Sequence, residues 1–282
     1  MNLSHFFLLC LAGGFLLAAA HAKSRPGNDS RVLMDEMTTA EVRDAIRSGR
    51  TTVLLFNAST EASGPHLVLG KHIFRARYLG ERIARELGNA LVAPVMPFAP
   101  TGEEMKFPGT INLLPETFSR VNEEVADSMV RAGFKYIILM GDHGGNQAPL
   151  KDLAPKLDAR YRPQGVRVFF SGDAYAKSDQ EITKYLDDHG FPPSRHGGIA
   201  DTSELWAAGA QYIRRDKIAR GDPLERPYPA GLSLGPIGVE GDPRKSSLTL
   251  GKLFMDWKVK NGVAEIRKLI RDAQPSSASN RQ

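Results

Sequence analysis

The chain has 282 residues, 41% of them hydrophobic and 24% charged, with a formal net charge of +5. That length suits one large domain able to bury roughly three quarters of its unfolded surface, and a single cysteine, Cys10, excludes a disulfide framework and a thiolate cluster. The basic residues are scattered along helical faces, and aromatics do not alternate with the stripe Lys71, Arg75, Arg77, Arg82 and Arg85 as they do in single-strand binders. A solvated surface is therefore expected, not a nucleic-acid groove.

In chain order, residues 1–22 carry no Asp, Glu, Lys or Arg, and an apolar run from Phe6 to Ala20 ends in the small-residue triplet Ala20-His21-Ala22. This predicts a signal peptide cut after Ala22 and a periplasmic or secreted mature protein. The run is shorter than the ~20 apolar residues of a membrane span, so stable anchoring is not expected. Residues 23–50 read as a polar segment and a first helix, Thr39 to Ser48, with a capping threonine. Residues 51–273 read as one α/β domain, and 274–282 as a disordered Ser-rich tail.

Within the domain, the β-rich apolar runs Thr52 to Phe56, Leu91 to Phe98, Tyr136 to Met140 and Val166 to Phe170 predict buried strands. Between them fall amphipathic helices, Lys71 to Leu87 stopped by Gly88, Pro115 to Ala132 stopped by Gly133, and one through Tyr161 with Asn146 as its cap. Leu248 to Ala273 reads as a terminal helix interrupted near Gly262. Strands alternating with helices of this length need crossovers, which predicts a three-layer α/β/α fold with a mostly parallel sheet. In such sheets ligands bind beyond the carboxyl ends of the strands. The loops Ser59 to His66 and Gly141 to Asn146 are therefore where a site is expected.

Those two loops, with Phe107-Pro108-Gly109-Thr110, the run His196 to Ser203 and Gly241-Asp242-Pro243, resemble the successive signatures of the creatininase family, in the family's order. The resemblance spans about Thr51 to Ala273. The family usually reads Glu-Gln-His-Gly-Pro-His-Leu-Pro-Leu-Gly-Thr-Asp in the first block, where the Glu, the first His and the Asp bind a pair of divalent metals. Here the Glu stays as Glu61, the first His is Ser63 and the Asp is His72. His143 matches the histidine of the family's His-Gly-Gly-Asn block, and Asp201 stands at the second Glu of its His-Ala-Gly-Glu-x-Glu-Thr-Ser block, whose first Glu is Ile199 here. Glu104 replaces a histidine that usually precedes Phe-Pro-Gly-Thr.

The resemblance thus implies a metal set of Glu61, His72, His143 and Asp201. Two histidines and two carboxylates suit one zinc ion, with manganese as the other choice, and the lost bridging Asp argues against a bridged pair. Glu61 can equally cap the next turn, His143 can be a core histidine, His72 a surface residue of a first helical turn, and Asp201 a cap of the helix it begins. His196 and Glu104 are the candidate catalytic residues, His196 as a proton donor or else a surface histidine. Trp206 and Trp257 read as core or subunit contacts.

The expected function is a metal-dependent amidohydrolase acting on a cyclic amide or other non-standard C–N bond outside the cytoplasm. Creatinine is not the expected substrate, because true creatininases resemble Ser-Gly-His-Tyr-Glu-Asn where this chain reads Gly141-Asp142-His143-Gly144-Gly145-Asn146. The alternative is a non-catalytic binding protein that keeps the fold around a degenerate metal site. The family resemblance also implies a homo-oligomer.

Overall fold

The computed structural model describes residues 31–274; the expected signal peptide and most of the tail lie outside the described residues. Four strands, β1 (Thr52–Asn57), β2 (Ala90–Val92), β3 (Tyr136–Gly141) and β4 (Arg167–Phe170), form one parallel sheet in the order β2-β1-β3-β4. Among the described residues seven α-helices accompany them: α1 (Thr39–Arg47), α2 (Lys71–Leu87), α3 (Pro115–Ala132), α4 (Gly144–Tyr161), α5 (Ala176–Asp188), α6 (Ile199–Ala208) and α7 (Leu248–Asp272).

The three layers follow from the two-residue period of the strands. Leu54, Phe56, Ile138 and Met140 face Ala76, Leu79 and Ile83 of α2 and Met255, Val259 and Val263 of α7. Val53, Leu55, Ile137 and Leu139 face the other way, onto Phe118 and Ala126 of α3 and Leu150, Leu153 and Leu157 of α4. Every residue of β1 is buried. This matches the expected α/β/α arrangement with a parallel sheet covered on both faces.

Four local readings are corrected. The second strand is only three residues long, because Pro94 and Pro97 lack the N–H that a ladder needs; isolated bridges at Met96 and Ala99 continue the extended path. The last helix runs unbroken through Gly262, where an added Cβ would meet Ile83 Cδ1 at 3.1 Å and Ala174 Cβ at 3.2 Å, so the glycine serves close packing and does not break the helix. Asp201 does not cap a helix: the N-cap of α6 is Gly198, and Asp201 sits inside the first turn. Nor is Asn146 itself the cap of α4. His143 is, with its Nδ1 accepting from the Gly145 N–H, and the Asn146 side chain accepts in return from the His143 N–H.

Candidate metal centre and active site

Glu61 is the hub. It follows β1, is fully buried, and receives the Ser59 hydroxyl on Oε2 at 2.8 Å. On the same oxygen it meets His143 Nε2 at 2.8 Å, and on Oε1 it meets His72 Nε2 at 3.0 Å. β1 and β3 run parallel and in register from Thr52 opposite Tyr136 to Asn57 opposite Gly141. The loops that carry Glu61 and His143 therefore leave the sheet side by side, and α2 brings His72 down onto them. Burial alone would raise the Glu61 carboxyl, but His72, His143 and Lys71 hold it well below the ordinary carboxylate range.

Glu61, His72 and His143 offer three ligand atoms within 4.8 Å of one another. A tetrahedral ion with bonds of about 2.0–2.1 Å sets its ligands roughly 3.3 Å apart, close to the separations seen. Behind His72 stands Asp142, its Oδ2 2.8 Å from Nδ1, the carboxylate that commonly fixes the tautomer of a metal-binding imidazole. Burial and Lys71 would lower the His72 ring, yet Glu61 and Asp142 raise it above its ordinary value. At His143 the Gly145 N–H lies 3.2 Å from Nδ1, an arrangement that puts the ring proton on Nε2 facing Glu61; holding a divalent ion at Nε2 would require the other tautomer, with the proton on Nδ1 and the contact to Gly145 given up. Two imidazoles and a carboxylate with a carboxylate behind one of them fit a divalent cation.

The structure does not bring Asp201, the fourth ligand implied by the sequence, into that group. Its carboxylate is 2.7 Å from Lys71 Nζ, pairs with Arg75 Nη1 and accepts the Gly197 N–H at 2.9 Å. Two full cations and a backbone donor thus saturate it. Glu104 and His196 also stand near Glu61 and with it make a second set of three ligand atoms within 4.8 Å. His196 donates Nε2–H to the Ala62 carbonyl at 2.9 Å, which leaves Nδ1 facing Glu61 Oε1 and Glu104 Oε1, each 3.9 Å away. Burial and Lys71 depress the His196 ring. This histidine is therefore neutral, with its free nitrogen an acceptor where a donor was expected. His66 is a buried structural histidine 2.9 Å from the Thr202 hydroxyl, and burial pushes its ring down to about 4.

Sequence reasoning missed a layer of buried charge. Lys71 and Arg75 belong to the basic stripe for which the sequence predicts a solvated surface, yet they are 1% and 2% exposed. Arg75 joins Asp142, Asp201 and Glu204, and Lys258, fully buried on α7, joins Asp179 and Glu204. Burial lifts the Glu204 carboxyl to about 7 against the pull of Arg75 and Lys258. The signal was present: Lys71, Arg75, Leu79 and Ile83 fall on one side of α2 at helical spacing. The rest of the stripe does lie outside, with Arg77 paired to Asp35 and Glu36, and Arg82 to Asp256.

Glu61, Lys71, His72, His143, His196 and Asp201 line a cavity of about 720 Å³, whose walls also include the segment Pro100 to Glu104 and Tyr175, Ile182 and Leu186. Gly145 lets that segment close in, since a Cβ there would stand 2.0 Å from the Pro100 carbonyl oxygen.

The family model described as "Creatininase: Creatinine amidohydrolase" matches residues 35–266. A mycofactocin precursor peptide peptidase of Mycobacterium ulcerans is 26% identical over 234 residues, covering 77% of this chain and 85% of its own. Creatinine amidohydrolase of Pseudomonas putida is 22% identical over 250 residues, with 83% and 95% covered. A solved structure described as "Creatininase Mn" is similar with a TM-score of 0.71 at 21% identity, over 85% of this chain and 98% of that one, a likeness that shows the fold.

Proposed function

Since the chain belongs to the creatininase family, a family of amidohydrolases acting on C–N bonds, we propose that it is a metal-dependent hydrolase of a non-standard C–N bond in a cyclic amide or small peptide-like molecule. The observation that carries this reading is the convergence of Glu61, His72 and His143 with Asp142 behind His72. Similar solved structures described as a manganese form and a Zn-Zn type of creatininase support a zinc or manganese ion here. When bound, the ion polarises a carbonyl and supplies hydroxide at neutral pH.

The chain's own residues do the rest. Glu61, His72 and His143 hold the ion. The neutral His196 presents Nδ1 beside the centre, where it accepts a proton from the attacking water. Lys71 and Arg75 keep Asp201 ionised and fixed beside the centre. A cavity of about 720 Å³ is larger than a single small ring requires, which favours the peptide-like end of the substrate class; a peptidase among the relatives points the same way.

We further propose export, on the uncharged apolar segment 1–22, and self-association, on the exposed apolar side chains Met105, Ile111 and Leu114 that cluster on one stretch of chain. Among the described residues no helix is long and apolar enough to cross a membrane. The function is tested with chelator-treated protein assayed on a panel of cyclic amides and short peptides, before and after zinc or manganese is returned. Ion-dependent release of amine supports the reading. Metal-free ligand binding with no turnover on any substrate would favour the binding-protein alternative.

A further inference from the structure

Glu61 belongs to two ligand sets at once, one with His72 and His143 and one with Glu104 and His196. Two divalent ions sharing one carboxylate would be the simplest occupancy. A fully buried ammonium stands in the way. Lys71 Nζ lies 3.4 Å from Glu61 Oε1, the oxygen that faces His196 Nδ1, and 2.7 Å from Asp201 Oδ2. The side chain is 1% exposed, so its charge cannot be moved into water, and repulsion between like charges is strong in so dry a place.

Resting on the metal-dependent reading above, we propose that the Lys71 ammonium is the centre's built-in second cation: it neutralises Glu61 and Asp201 where a second divalent ion would otherwise sit, and so limits the centre to one ion. The ion at Glu61, His72 and His143 then faces a fixed positive charge that requires no loading. Lys71 acts as a positioning residue through Glu61 and Asp201. The Glu104 and His196 pair is thereby kept from ligation, and His196 Nδ1 remains free to accept a proton.

The test is the number of ions per folded chain. Protein stripped with chelator is reloaded with zinc alone, desalted and analysed by elemental mass spectrometry, with circular dichroism and a melting curve as the check on folding. The parent and Lys71→Arg are expected to hold about one ion, and Lys71→Met about two, with the second lost again when Glu104→Gln is added. Where Lys71→Met leaves Asp201 too poorly paired to fold, Lys71→Met with Asp201→Asn removes both charges and is expected to show the same gain. A folded Lys71→Met that stays at one ion, or a parent that already holds two, overturns this inference and leaves the metal-dependent reading intact. A parent that binds none overturns both.

Discussion

Asp142 lies 2.8 Å from Nδ1 of His72 and thereby turns the other ring nitrogen onto Glu61. The carboxylate sits at the end of β3 and the imidazole in the first turn of α2, so sheet and helix must both be in place before the pair exists. Replacing Asp142 by Asn keeps the shape but removes the charge that favours the metal-binding tautomer. Zinc affinity is expected to fall about 10–100-fold, read by calorimetric titration. An Asp142→Asn protein that binds zinc as tightly as the parent would show that His72 is not a ligand oriented in this way.

His143 has two tasks, to cap α4 through Nδ1 in the metal-free protein and to offer Nε2 to an ion. His143→Ala removes a ligand from a set of three and is expected to abolish zinc binding. It also removes the Nδ1 acceptor at the start of α4, so the variant is expected to lose about 0.5–2 kcal/mol of stability, measured by urea denaturation of the metal-free forms. His143→Asn restores a capping acceptor and is expected to recover part of the stability but not the zinc.

Much of the frame could be read from the sequence because periodicity and punctuation agreed. α2 and α3 run between the residues expected, Lys71–Leu87 and Pro115–Ala132, each closed by a glycine with positive φ, Gly88 and Gly133. What escaped was decided by tertiary packing. Gly262 looks like a helix breaker until α2 is laid against it, and α5, whose polar sequence has only Ile182 and Leu186 as buried apolar anchors, gave a weak signal. At the site, Glu61, His72 and His143 meet as the family blocks implied, whereas Asp201 was claimed by Lys71 and Arg75. Composition cannot separate a buried lysine from a solvated one. Only the helical face on which it falls can do so.

Away from the site, Asp158 ties α4 to β4. Arg167 Nε donates to it at 2.8 Å, the Val168 N–H at 3.0 Å, and Arg162 pairs with its other oxygen. Burial alone would raise this carboxyl, but the hydrogen bonds from Arg167, Arg162 and Val168 bring it below its ordinary value. A carboxyl lowered in the folded state adds stability above its unfolded pKa and loses it as the pH falls through the folded one. Asp158→Asn is therefore expected to cost about 1–3 kcal/mol at pH 7, with the difference shrinking below about pH 4. Denaturation at a series of pH values checks this; a gap that stays constant into acid would mean that the charge contributes nothing.

Gly251 marks the tightest approach of α7 to α6. A Cβ built there would stand 1.8 Å from the Ser203 carbonyl oxygen, a backbone atom that no side-chain rotation can move away. Gly251→Ala is expected to force the two helices apart and cost roughly 1–3 kcal/mol or more, read from the shift in denaturation midpoint. Since α6 carries Asp201 and Glu204, the same variant is expected to weaken turnover more than zinc binding.

The central claim, that Glu61, His72 and His143 form the metal centre, is tested most directly by anomalous diffraction at the zinc edge from crystals of the zinc-loaded protein. One strong anomalous peak per chain is expected about 2.0–2.2 Å from one Glu61 oxygen and from Nε2 of both histidines. A map with no peak between these three side chains in zinc-replete protein, or with its peak at Asp201 instead, would contradict it.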